Sequence, residues 1–203
     1  MYQKYLKRGL SIVLSLIGIL ALGWLFLLLS ISIKLDSPGP VLFRQKRVGL
    51  GKCHFYILKF RTMRTDTPSE MPTHLLSNPE QYITRVGKFL RKTSLDELPQ
   101  LFNILVGHMA VVGPRPALWN QFDLIDERDQ YGANGVRPGL TGWAQINGRD
   151  ELEIDEKARY DGEYVQNLSF AFDVKCFLAT IKTVVSRDGV VEGGTGAAKA
   201  ANE

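Results

Sequence analysis

No charged residue stands between Arg8 and Lys34, and that gap limits what this chain can become. Read as one helix, the run LSIVLSLIGILALGWLFLLLSISI would reach roughly 36 Å, more than a ~30 Å hydrocarbon core. The stretch is too long for a signal-peptide core and no convincing small-residue cleavage site follows it, so it is expected to stay and to enter a membrane. Basic residues flank it on both sides, Lys4, Lys7 and Arg8 before and Lys34, Arg44, Lys46 and Arg47 after, so the positive-inside rule selects no orientation. Two topologies remain. A spanning helix satisfies the length, whereas a re-entrant hairpin of two halves, each about 12 residues and ~18 Å long, satisfies the two basic ends. Gly18 and Gly23 are the candidate bend points, although glycine permits a bend without forcing one.

The remaining chain is long enough for one catalytic domain. Of 203 residues, 45% are hydrophobic, which supports a core. The net charge of +4 comes without the concentrated basic and aromatic platforms of a nucleic-acid binder, and no nucleic-acid partner is expected. Cys53 and Cys176 stand alone, and His54, His74 and His108 lie far apart, which argues against a structural zinc site and fits a reducing environment.

The expected class is α/β, α-rich with a small β-hairpin. Residues 1–36 form the membrane-inserted helix, 37–191 a cytosolic catalytic domain, and 192–203 a small, polar, disordered tail. After the turn at Ser37 to Pro40, VLFRQKRVG and HFYILKFRTM flank the glycine-bearing turn at Leu50, Gly51 and Lys52 and read as the hairpin. Phe55, Ile57, Lys59 and Arg61 share a face of its second strand; the two cations suit either phosphate or a solvated edge. Thr65 to Pro79 reads as a loop. Glu80 to Lys92 has helical spacing with Lys88, Arg91 and Lys92 beside the apolar positions, an amphipathic element suited to an anionic interface or a solvent face. Ala117 to Tyr131, Asp155 to Asn167 and Asp173 to Ser186 read as further helices.

Chemistry concentrates in SLDELPQLFNIL, residues 94 to 105, where Asp96 and Glu97 sit at the mouth of an apolar helix. Ser94 and Glu97 match a capping box, and acids in a first turn are favoured by the helix dipole. Pro99 opposes a helix that begins at Ser94, because its ring would meet the carbonyl of Leu95. With Asp96 or Glu97 as the N-cap, Pro99 falls in the first turn, and N–H groups near Glu97 and Leu98 offer an anion site. Neighbours on a helix project about 100° apart, so the two acids have separate jobs rather than one shared proton. Capping and catalysis both remain readings of the pair. Arg115 lies between two prolines that stiffen its loop, displaying a planar fork suited to phosphate or uracil-like acceptors. VRPGLTGWAQINGR repeats the device with Arg137 before a proline, glycines that let backbone approach a ligand, and Arg149.

KFRTM (59–63), SLDELPQLFN (94–103), GPRP (113–116) and RPGLTGWAQINGR (137–149), in this order behind a basic-flanked apolar segment, resemble the bacterial sugar transferases, the monotopic phosphoglycosyl transferases. The resemblance covers roughly Tyr2 to Val191. It implies transfer of a sugar 1-phosphate from a UDP-sugar to undecaprenyl phosphate, with UMP released, at the cytoplasmic face of a bacterial inner membrane. It also implies a covalent phosphosugar on the nucleophile matching Asp96, with Glu97 as its partner and Mg²⁺ as cofactor. Asp96 and Glu97 are then the metal-ligand candidates, with Asp161 a further acid. Lys59, Arg61, Arg115, Arg137 and Arg149 are the substrate-binding candidates. The family bends its membrane helix at a Ser-Pro step where this chain carries Gly23 and Trp24, and many relatives have an aspartate where Ser11 stands here. Two other readings of the acids are a metal-dependent diphosphate hydrolase and a silent membrane scaffold; the intact acid pair argues against the scaffold.

Overall fold

The computed structural model describes residues 2–67, 79–148 and 152–186. Most of the expected 65–79 loop, Arg149 and the tail lie outside them. The apolar run forms one uninterrupted helix, α1 (Lys7–Asp36), long and apolar enough by length and composition to cross a membrane. It passes through Gly18 and Gly23 without a break. Gly18 is a packing position, since a Cβ there would come within 3.1 Å of Leu101 Cδ1, and Gly23 faces open space. The buried stripe of α1 runs through Lys7, Ser11, Ser15, Leu29 and Ile33, one face of a 3.6-residue period. Its other side exposes large apolar side chains, among them Leu20, Trp24 and Leu35.

Both ends of α1 are tied to the rest of the fold. At its start, Arg8 donates to the carbonyls of Ile104 and Leu105 at 2.6 and 2.9 Å. Lys7 is buried against Asp173 and donates to Tyr164 Oη at 2.5 Å, which in turn donates to Asp173 Oδ1 at 2.6 Å. At its finish, Arg61 donates to the carbonyls of Ser37 and Pro38, and Leu29 and Ile33 share a core with Phe60 and Leu90.

The hairpin forms as the alternation predicts. β1 (Leu42–Val48) and β2 (His54–Phe60) are antiparallel, Leu42 opposite Phe60 and Val48 opposite His54, and Gly51 and Lys52 take the left-handed conformation in the turn. The outer edge of β2 meets a side chain from α3 (Gln100–Val106). Asn103 Oδ1 accepts from Leu58 N at 2.9 Å and its Nδ2 donates to Tyr56 O at 2.8 Å, as a neighbouring strand would. Before α3 comes α2 (Arg85–Lys92), shorter than the expected 80–92 because Pro79–Tyr82 is a 3₁₀ turn. Thr84 Oγ1 caps it by accepting from Gly87 N, and Asp36 accepts from Val86 N, both at 2.9 Å, which satisfies first-turn donors.

A second sheet, beyond the hairpin expected from the sequence, pairs β3 (Ala110–Val112) with β4 (Gly139–Thr141) in parallel. The loop after β3 touches the backbone on both sides of β4. A Cβ on Gly113 would meet Arg137 O at 2.4 Å, and one on Gly142 would meet Gly113 O at 2.1 Å. Gly139 and Gly142 of the second Arg-Pro motif therefore serve backbone contact with the first, while Gly148 abuts Leu152. α4 (Phe122–Gln130), α5 (Trp143–Ile146), α6 (Ile154–Gln166) and α7 (Phe170–Ser186) complete the described fold.

Candidate active site

The chain leaves α2 through Ser94, a non-glycine residue at φ +55°, and makes one 3₁₀ turn, Leu95–Glu97. Pro99 then takes the N-cap of α3, where its missing N–H costs no helical bond. This overturns the capping expectation: the Ser94 side chain makes no cap bond. The anion site foreseen at Glu97 and Leu98 is also engaged, since these N–H groups donate to Ser94 O and Leu95 O.

The Asn103 clasp holds α3 against β2, and so brings Lys59, the next-to-last residue of β2, to the acid pair. Lys59 Nζ lies 2.8 Å from Glu97 Oε1 and 4.0 Å from Asp96 Oδ2. From the loop after β3, Arg115 Nη2 donates to the same Glu97 Oε1 at 3.1 Å. The Asp96 and Glu97 side chains are 13% and 15% exposed, which places both in a half-closed, low-dielectric setting. Asp96 accepts no hydrogen bond from any described residue.

Burial and charge divide the pair. Burial pushes the Asp96 carboxyl above its ordinary value, with Lys59 opposing and the neighbouring Glu97 charge reinforcing the rise. Burial would raise Glu97 too, but Lys59 and Arg115 outweigh it and hold that carboxyl well below the usual range. Separated proton affinities within an adjacent pair suit divided roles. Arg91 also acts on Asp96; its Nε donates to Thr62 Oγ1 at 2.9 Å. Sequence reading placed Arg91 on an amphipathic face, although its position one turn ahead of the acids in FLRKTSLDE was a usable signal. Asn103, an amide within an apolar helical run, was another.

The other candidates are put to different uses. Arg61 is buried, and its guanidinium closes the carboxyl end of α1 through Ser37 O at 2.7 Å and Pro38 O at 2.5 Å. Arg137 Nε donates to Gly107 O at 3.1 Å, at the end of α3 opposite the acid pair. Asp161 is 1% exposed and takes Arg128 Nε and Nη2 on Oδ2 at 2.8 and 2.5 Å. It is thus the partner of a buried arginine, not a third acid beside Asp96. No cluster of three or more His, Cys, Asp or Glu residues suited to a metal occurs among the described residues. The donor set fits a magnesium ion carried by a diphosphate, which needs only one or two carboxylates from protein.

Residues 2–187 match the family model for bacterial sugar transferases. A UDP-glucose:undecaprenyl-phosphate glucose-1-phosphate transferase of Escherichia coli is 38% identical over 91% of this chain and 41% of its own length. A Caulobacter vibrioides protein of the same name is 42% identical over 90% of this chain and 70% of its own. The exopolysaccharide production protein ExoY of Sinorhizobium fredii is 35% identical over 88% of this chain and 84% of its own. Several further curated relatives are, like the Escherichia coli protein, much longer than this chain, which spans about two fifths of their length.

Proposed function

The chain belongs to the bacterial sugar transferase family, and from that premise we propose that it transfers a sugar 1-phosphate from a UDP-sugar to undecaprenyl phosphate by way of a covalent intermediate on Asp96. The observation that carries this reading is the asymmetry of the acid pair. Glu97 holds Lys59 and Arg115, while Asp96, in the same half-closed site, accepts no hydrogen bond from described residues.

Asp96 attacks the sugar-bearing β-phosphorus, a carboxyl O–P bond forms as the bridging P–O bond breaks, and UMP leaves with that oxygen. A phosphate oxygen of undecaprenyl phosphate then attacks the same phosphorus and expels Asp96 as carboxylate. Lys59 and Arg115, positioned by Glu97, meet the charge of the diphosphate as it shifts onto the leaving group. Asp96 and Glu97 are the residues that would hold a magnesium ion, which would supply further charge neutralisation. The released lipid-linked sugar is the starting unit of a cell-surface glycan.

The two tethers on α1 support a membrane arrangement with both of its ends on one side. Its start is bonded to α3 and α7 and its finish to β2, so both ends stay on the catalytic domain's side and the exposed apolar flank enters one leaflet of the inner membrane from the cytoplasm. α2 presents exposed Phe89 among Arg85, Lys88 and Lys92 toward the same anionic surface. Cysteines at Tyr2 and Ser37 are expected to label from the cytoplasmic side alone; labelling of either from the periplasm sinks this arrangement.

The reaction is tested by incubating the purified protein with a panel of radiolabelled UDP-sugars and no lipid. Label should appear on protein with an equal burst of UMP, and the productive sugar identifies the donor. A diphosphate hydrolase would release UMP with no protein-bound label. Retention of label by Asp96→Asn would falsify the nucleophile assignment.

A further inference from the structure

At the end of α3 away from the acid pair, two arginines from distant parts of the chain converge on one stretch of backbone. Arg8, from the start of α1, donates to Ile104 O and Leu105 O. Arg137, from the loop before β4, donates through Nε to Gly107 O. A Cβ on Gly107 would lie 3.1 Å from Arg8 Nη2, so both guanidinium groups gather around that glycine. They line a cavity of about 180 Å³ together with Lys7, Gln3, Ser11 and Leu168, a volume of several waters at ~30 Å³ each.

The charge in this corner does not balance. Lys7 is neutralised by Asp173, and no acidic side chain lines the cavity. What faces Arg8 and Arg137 is the carboxyl end of a seven-residue helix, a partial charge of roughly −0.5 against two full positive charges. Capping α3 therefore offsets roughly half a charge and leaves a surplus of more than one. The Nη groups of Arg137 have no partner among the described residues.

We propose that this cavity is an anion site for a phosphate group, bridged by Arg8 and Arg137 and separate from the reacting centre. α3 alone sets the site about 10 Å of helix from the acid pair, so a phosphate here is not the one attacked by Asp96. The chemistry is shared by a lipid headgroup phosphate and by inorganic phosphate. Occupancy joins the start of α1, the end of α3 and the β4 loop through one ligand, because each arginine anchors a different element.

The test uses the full chain in detergent. Thermal unfolding is followed with inorganic phosphate against chloride at equal ionic strength, and native mass spectrometry follows retention of added phosphatidylglycerol against a neutral diacylglycerol. Wild type should be stabilised by phosphate or retain the phospholipid preferentially, and the arm that responds identifies the source. Arg137→Gln, which keeps a donor for Gly107 O, should weaken that response by roughly tenfold or more. Arg8→Gln should do the same, and Arg159→Gln, an equal charge loss at an exposed position on α6, should leave it unchanged. If wild type responds in neither arm, or if Arg159→Gln loses as much as Arg137→Gln, the proposal is overturned. The wild-type comparison stands even where one arginine variant fails to fold.

Discussion

Asp96 and Asp161 are two carboxylates in similar circumstances put to opposite ends. Burial raises both above their ordinary proton affinity, and in both a cation opposes the rise. Asp161 is sealed at 1% exposure with a guanidinium on Oδ2, so its charge is met by a buried ion pair even though Oδ1 has no hydrogen-bond partner among the described residues. Asp96 retains 13% exposure and its lysine stands off at 4.0 Å, because Glu97 draws that lysine to itself. The difference teaches that burial beside a cation does not define a site. What matters is whether contact is completed within the fold or left for a ligand to complete.

The sharpest way to break this contrast is to remove each carboxylate and measure both turnover and folding. Asp96→Asn should lose protein-bound label and reduce UMP release by roughly 10³-fold or more, while its denaturant midpoint falls no lower than that of wild type. Asp161→Ala should reverse the pattern, losing about 3–5 kcal/mol in urea unfolding because Arg128 is left buried and unpaired. Its activity per folded molecule should stay within a few-fold of wild type. A severe loss of turnover in folded Asp161→Ala would place that acid in the chemistry after all.

A smaller effect separates the members of the acid pair. Glu97→Gln leaves Lys59 and Arg115 without their shared anion and should cost about 1 kcal/mol at neutral pH, a modest figure because Arg115 is 36% exposed. A carboxyl held low in the fold contributes stability above its unfolded value, about 4.3, and loses it as pH falls toward the folded value. The gap between wild type and Glu97→Gln should accordingly close in acid. Asp96 carries the opposite sign: its raised folded value favours the protonated form, so wild type loses stability as pH rises out of the acid range. The smallest effect expected is a slightly higher unfolding midpoint for Asp96→Asn than for wild type at neutral pH, absent in acid. Equal midpoints across the whole range would show that Asp96 is not raised.

Local pattern made much of this legible. Alternation and a glycine turn specified β1 and β2, helical spacing specified α6 and α7, and the prolines around Arg115 announced a displayed guanidinium. What stayed hidden was set by partners far along the chain. Lys59 and Arg61 are two residues apart on one strand face, yet Arg61 turns to carbonyls at the end of α1, a helix that ends 25 residues earlier. Arg137 and Arg115 share a motif, but only Arg115 faces the acids, because the parallel pairing of two three-residue strands decides where each loop points. Strands that short carry no periodicity to read. Asp161 was indistinguishable from a surface acid until Arg128, 33 residues away, was brought to it. Ser94 looked like a cap because the spacing to Glu97 was right, whereas its left-handed backbone aims the chain elsewhere.

The abutting glycines around β3 and β4 have a consequence for anyone exchanging loops between relatives. With Gly142 and Gly113 in backbone contact, and Gly139 equally close to Gly113, no side chain can be introduced on one loop without displacing the other. A graft of residues 113–118 from a relative would need residues 137–142 from the same donor, so the two loops form a single exchangeable cassette.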